Sequence, residues 1–270
     1  MNGLDLFSGI GGISLALKQY IRTITYCEID RYAQSVLLSR MQSGDIDTAP
    51  IWDDVRSLNS KMLHKKIDII TGGFPCQDIS CAGRGVGMEA GARSGLFSEI
   101  IRLTQEIQPT FLFLENVPAI RTRGLTRVLC ELTAIGYDCR WTIVSAAELG
   151  APHLRKRWFL LAHDNGKRRW DKYRRRCRSK GEGAPNAVEY CKEKPMADSC
   201  SKNVEGQWEK SSGIETTNKN SSMSNWWSVE PNVDRVVNGL PNRVDRIKCL
   251  GNAVVPQQAK EAFERLIGIK

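Results

Sequence analysis

The chain has 270 residues, 41% of them hydrophobic and 26% charged, enough for one large domain with a real core or one domain carrying a smaller insert. Thirty-nine Lys and Arg against thirty Asp and Glu leave a formal net charge of +9, which favours a polyanionic partner. No apolar run approaches a membrane span of roughly 18 residues, and nine cysteines without one CxxC pair argue against a disulfide framework.

Met1 leads straight into a first strand, Leu4–Phe7, with no charged-then-apolar leader, so a cytoplasmic protein with reduced thiols is expected. A Gly-rich turn and an amphipathic stretch, Ile13–Tyr20, follow. Thr23–Cys27 reads as a second strand and Tyr32–Met41 as a second helix. A third strand is expected at Ile67–Ile70, a helix at Gly95–Ile107 and a fourth strand at Thr110–Leu114. Leu125–Ile135 is helical in pattern, and Arg140–Val144 and Trp158–Ala162 read as strands. This alternation predicts an α/β fold, a mostly parallel sheet with helices on both faces, but does not order the strands.

After His163 the texture changes. Residues 164–230 lose apolar periodicity, and Gly166–Lys180 holds nine Lys and Arg against Asp171 alone. Order returns near Val233–Val237 and ends in a helix over Gln257–Ile267. The organisation expected is a core of residues 1–163 and 231–270, interrupted by a basic insert over 164–230. Cys177, Cys191 and Cys200, with His163, match no compact zinc spacing, so no metal is expected.

Chemistry-bearing residues gather at expected strand ends. Asp5-Leu6-Phe7-Ser8-Gly9-Ile10-Gly11-Gly12 joins the first strand to the first helix, where glycines let a ligand approach the backbone and a helix N-terminus offers free N–H groups. Glu28, nineteen residues beyond Gly9, stands at the tip of the second strand, placed to bind a ribose diol. Asp30 beside it reads as a helix N-cap, which leaves Glu28 unaccounted for. The two features together favour an adenosyl-type cofactor. The third strand runs into Gly72-Gly73-Phe74-Pro75-Cys76-Gln77. A lone cysteine is ordinarily a small buried hydrophobe, but Pro75 and Gln77 set Cys76 outside any apolar pattern, where an ionised thiol could act as a nucleophile. Glu115-Asn116-Val117 closes the fourth strand, His153-Leu154-Arg155-Lys156-Arg157 leads into the last, and Gly251-Asn252-Ala253-Val254-Val255-Pro256 precedes the final helix.

In this order DLFSGIGG, GGFPCQDIS, ENV, HLRKR and GNAVVP resemble the cytosine-5 DNA methyltransferase family of bacterial and phage type, over roughly 1–163 and 232–270. Asp53-Asp54-Val55 and Arg93-Ser94-Gly95-Leu96-Phe97 agree with it. The chain departs from the family in having His153 in place of a glutamine and Ser145 in place of an asparagine, and its insert is short. The resemblance implies a Rossmann-like S-adenosylmethionine-dependent methyltransferase fold with a small inserted target-recognition domain. It implies Cys76 as the nucleophile adding to cytosine C6, Glu115 on the exocyclic amine and N3, and Arg157, supported by Arg155, on the ring oxygen. S-adenosylmethionine is then expected against Phe7, Gly9, Gly11, Glu28, Ile29, Asp54, Pro75, Leu96 and Asn252: Phe7 stacks, Glu28 holds the ribose, and Asp54 takes the adenine amine. The implied substrate is double-stranded DNA with its target cytosine flipped out, bound by a monomer. Arg174, Arg175 and Arg176 would take phosphates, and Trp208 or Asn218 could read bases.

Three rivals compete with this reading. An RNA-directed member of the family typically carries a Cys-Phe-Thr tripeptide in the recognition region, and none occurs here. A catalytically silent DNA-binding relative would not need Cys76, Glu115 and both arginines. A nicotinamide oxidoreductase would use the Gly-rich turn but leaves Pro75-Cys76-Gln77 and Glu115-Asn116 without a role.

Overall fold

The computed structural model describes residues 1–75, 95–166 and 243–268. Seven strands form one sheet: β1 (Asn2–Leu6), β2 (Arg22–Cys27), β3 (Ile51–Trp52), β4 (Ile69–Gly73), β5 (Phe111–Asn116), β6 (Tyr137–Val144) and β7 (Arg157–Asp164). Their spatial order is β3-β2-β1-β4-β5-β7-β6. β1 to β5 are mutually parallel, whereas β7 runs antiparallel between β5 and β6. The helices are α1 (Gly12–Leu17), α2 (Arg31–Gln42), α3 (Gly95–Ile107), α4 (Ile120–Arg123), α5 (Leu125–Ala134), α6 (Arg243–Asn252) and α7 (Pro256–Ile267).

β5 is buried at every position because it is covered on both faces, which is why Phe111–Leu114 reads as an unbroken apolar run rather than an alternation. Leu112 and Leu114, with Leu160 of β7, meet Phe97, Ile100, Val128 and Leu132 of α3 and α5. Phe111 and Phe113, with Phe159 and Leu161, meet Leu17 of α1 and Ala259, Phe263 and Leu266 of α7. Phe113 and Phe263 pack edge-on at 5.4 Å between ring centres. Burying these seven side chains of the strand pair contributes roughly 1.5–3 kcal/mol per side chain. α2 starts where Asp30 accepts the N–H groups of Tyr32 and Ala33, the cap expected of it. α7 has Pro256 in its first turn and ends at Gly268, whose φ of 77° is the left-handed C-terminal stop.

Helix Gly95–Ile107 has the bounds expected, and the other expected elements are present with ends shifted by up to three residues. The third strand runs on to Gly73, past its expected end at Ile70. It can do so because a side chain at Gly72 would lie 2.7 Å from the Leu6 carbonyl, and glycine alone lets β1 and β4 approach there. Three elements carry no sequence signal strong enough to be expected: β3, two residues long; α4, a single turn; and α6, none of whose residues is buried. Beyond Gly166 the expected basic insert lies outside the described residues, as do Cys76, Arg174, Arg175, Arg176, Trp208 and Asn218.

The order matters for function. The chain leaves β1 toward β2 and β3, then returns to β4 on the other side of β1, so the connections diverge above the carboxyl ends of β1 and β4 and open a crevice there. Because β7 is antiparallel, its first residue, not its last, arrives at that same edge.

Candidate active site

A cavity of about 810 Å³ occupies this crevice, within the range of pockets that take cofactor-sized ligands. Its wall includes Phe7, Gly9, Glu28, Ile29, Asp54, Pro75, Leu96 and Asn252, eight of the nine residues expected around a cofactor, together with Glu115 and Arg157. Gly11 is not on the wall. At φ 80° it caps α1, and a side chain there would meet Leu37 at 3.0 Å, so its task is the turn itself. Gly12 lets α1 approach the C-terminal segment, since a Cβ would lie 2.9 Å from the Val254 carbonyl.

At one end of the cavity, Glu28 is fixed by two backbone donors. The Gly9 N–H donates to Oε2 at 2.7 Å and the Asp30 N–H to Oε1 at 2.8 Å. A carboxylate held this way keeps further lone pairs for hydroxyl donors, and Gly9 reaches it only because its φ is 53°. Phe7 is also in the left-handed region, at φ 52°. That conformation is costly for a bulky residue and is typical of backbone held in place at a site. Asp54, expected on the adenine amine, is engaged by Arg56, whose Nη2 lies 2.9 Å from Oδ2 and whose backbone N–H donates to Oδ1 at 3.0 Å. Arg56 holds the Asp54 carboxyl below its ordinary range. Lys248 of α6 pairs with Asp30 across the rim. Beneath the cavity, buried Asp5 accepts hydroxyl hydrogen bonds from Ser14 and Thr71, and burial raises its pKa to about 6.

At the other end stands Glu115, at the tip of β5 and 8% exposed. Its register partner on β4 is Gly73, where a Cβ would lie 2.8 Å from the carboxylate. Arg157, first residue of β7, brings Nε to 2.9 Å from Glu115 Oε1. Burial pushes the Glu115 carboxyl up to about 7, while the charges of Arg157 and then Arg155 pull the other way. The net effect is a carboxyl that can hold or release a proton near neutrality. Asn116 donates from Nδ2 to the Phe74 carbonyl at 3.0 Å, tying the end of β5 to the backbone two residues before Cys76.

Arg155, expected to support Arg157, is not itself among the residues lining the cavity. Its charge acts on Glu115 without an ion pair among the described residues. Its Nη2 donates instead to the carbonyls of Gly251 and Ala253, flanking Asn252. Ser145 donates to the Leu154 carbonyl at 2.7 Å, bracing the turn that carries His153 and Arg155. Among the described residues no group of three or more His, Cys, Asp or Glu could hold a metal ion, and no helix is long and apolar enough to cross a membrane.

Asn116, Arg56, Lys248 and Gln258 are residues of the site and its surroundings whose roles no sequence motif assigns. Only Gln258 carries a usable signal, a polar residue on the apolar face of a strongly amphipathic helix.

Comparison with known proteins bears on what this cavity belongs to. The chain is 38% identical over 160 residues to the Type II methyltransferase M.CviJI of Paramecium bursaria Chlorella virus IL3A, covering 59% of this chain and 42% of that protein. It is 34% identical over 171 residues to the Type II methyltransferase M2.BsuMI of Bacillus subtilis, covering 60% and 42%. The matched region thus spans less than half the length of these relatives. The crystal structure of a Spodoptera frugiperda DNMT2 variant superposes with a TM-score of 0.50 at 20% identity, over 62% of this chain and 51% of that one, and shares the fold. The profile of the C-5 cytosine-specific DNA methylases matches residues 1–235, well over half of the chain and inclusive of both ends of the cavity's β1–β7 wall. This chain therefore belongs to the C-5 cytosine-specific DNA methylase family.

Proposed function

We propose that the protein is a DNA (cytosine-5-)-methyltransferase that takes its methyl group from S-adenosylmethionine. The observation that carries this reading is one cavity with two unlike ends. Glu28, fixed by backbone N–H groups, suits a ribose, and the buried Glu115–Arg157 pair suits the polar edge of a base. S-adenosylmethionine, bound at the Glu28 end, supplies a methyl group on a positive sulfur.

The protein's own residues make cytosine able to accept that methyl. The Cys76 thiolate adds to C6, and the electrons displaced from the C5–C6 double bond make C5 the nucleophile. Protonated Glu115 donates to N3 while its second oxygen accepts from the exocyclic amine, so charge building on the ring is met by a group already in place. Arg157 donates to the ring oxygen and orients Glu115. After C5 takes the methyl, its proton leaves to a base, the C5–C6 double bond re-forms, and the bond to Cys76 breaks. These atoms are shielded in a stacked duplex, so the cytosine is extruded before reaction. The protein acts as a monomer on double-stranded DNA in the cytoplasm, with the insert as its recognition element.

Methylation-sensitive sequencing of DNA from cells expressing the chain tests the reading: it should find one short sequence fully modified at cytosine, and unmodified DNA would refute it. Glu28→Ala should weaken S-adenosylmethionine tenfold or more in titration calorimetry, since a hydrogen bond to a charged acceptor contributes about 1.5–3 kcal/mol. Asp54→Ala should cost less, because Arg56 already engages that carboxylate. Equal, negligible effects would misplace the adenosine. Replacing Arg174, Arg175 and Arg176 by Ala should weaken target and non-target duplexes alike and lower the salt slope of log affinity by about 0.9 per lost phosphate contact. An unchanged slope in binding titrations would leave that run as solvated surface.

A further inference from the structure

Behind the Glu115–Arg157 pair, one side chain joins three separate parts of the chain. Gln258 lies in the first turn of α7, on the face that also carries Ala259, Ala262 and Phe263, and it is fully buried. Its Nε2 donates to the Val144 carbonyl at 2.9 Å and to the Arg155 carbonyl at 2.6 Å. Val144 ends β6 and is the register partner of Arg157. Arg155 in turn donates to the carbonyls on either side of Asn252. Hydrogen bonds, with Arg155 itself as the link between them, therefore connect the Asn252 wall of the cavity to the strand end that carries Arg157.

Packing alone does not call for a glutamine here. Its Oε1 and the Nε of Arg155 are buried with no hydrogen-bond partner among the described residues. An apolar side chain of similar length would fill the space and remove the unpaired Oε1, at the cost of the two bonds that Nε2 donates. What glutamine adds is the pair of bonds it donates.

We infer that Gln258 is a positioning residue, which acts through Arg155 to set the spacing between the segment holding the methyl donor and the pair holding the base. The inference rests on the proposed function, in which donor and base share the cavity. Reaction between two bound partners depends steeply on alignment, and misplacement by about 1 Å can cost 100-fold. Loss of the clamp should therefore appear in the rate with both partners bound, not in the affinity for either.

Gln258→Met keeps length and apolar packing and removes both donated bonds. Wild-type protein is assayed first: if it transfers no methyl group to duplex DNA, the functional reading fails and takes this inference with it. With active wild type, Gln258→Met should lower kcat at least tenfold at saturating S-adenosylmethionine and DNA. Its Kd for S-adenosylmethionine should change less than threefold, and it should stay folded at the assay temperature, with its Tm lowered by no more than the few degrees that two unpaired carbonyls explain. Arg155→Met should lower kcat similarly, and the double variant should fall little further, because the two side chains act in series. Gln258→Leu serves as a second packing variant should the methionine variant fail to fold. Unchanged kcat in a folded variant, a kcat loss that only follows a loss of Tm or donor affinity, or additive losses in the double variant would each overturn the inference.

Discussion

Cys76→Ser is expected to abolish methyl transfer while leaving S-adenosylmethionine binding nearly intact. The hydroxyl ionises far less readily than a thiol of pKa about 8.5, so the attacking species is lost. Donor affinity should survive because the residues expected to hold the donor, Glu28 and Pro75 among them, line the cavity and are untouched by the substitution. DNA carrying 5-fluorocytosine gives a complementary result. Fluorine cannot leave C5 as a proton would, so the wild-type protein should remain covalently attached to methylated DNA, resolved as a shifted band under denaturing conditions. Cys76→Ser should give no such band. Full activity in the serine variant would end the proposed mechanism.

Glu115→Gln should reduce kcat/KM by about 10²–10⁴, the range for a positioned proton donor. The amide keeps the shape but cannot place an acidic O–H on N3. The same variant has a stability signature with a definite sign. Burial raises the Glu115 carboxyl from its ordinary 4.5 to about 7, so the folded protein binds this proton more tightly than the unfolded chain does. Glu115 therefore contributes most to stability below about pH 4.5, and that contribution falls as pH rises to about 7, then stays level. The difference is about 3 kcal/mol at 1.36 kcal/mol per pH unit. Asp5, raised from 3.8 to about 6, slopes the same way but is present in both proteins and cancels between them. Denaturant titrations from pH 4.5 to 8 should show wild type losing stability relative to Glu115→Gln across this window. Parallel curves would mean that Glu115 is ionised throughout.

Much of this site is legible in the sequence because strand ends announce themselves. Gly9 and Gly73 stand where a backbone turn or a neighbouring carboxylate excludes a side chain, and both follow short apolar strands. Glu28 and Glu115 are acids that end otherwise apolar runs, conspicuous against the pattern. Arg157 is harder, since only the antiparallel course of β7 brings its first residue to the edge where β5 ends, and strand direction leaves no periodic trace. Arg155 follows the same lesson. A basic residue two positions from Arg157 suggests the same target, yet the turn braced by Ser145 sends it to the Gly251 and Ala253 carbonyls. α6 escapes notice for another reason: none of its residues is buried, so it has no apolar stripe to reveal it. It nonetheless brings Lys248 to Asp30 and Asn252 to the cavity.

The chemical position of the transferred methyl group distinguishes this activity from every other. Duplex DNA incubated with the protein and S-adenosylmethionine bearing a deuterated methyl, then digested to nucleosides and resolved by mass spectrometry, reports it directly. Deuterium is expected in 5-methyldeoxycytidine, and is expected to be absent when Cys76→Ser replaces the wild-type protein. Deuterium on N4 of cytosine or N6 of adenine, or no labelled nucleoside at all, would contradict the proposed function.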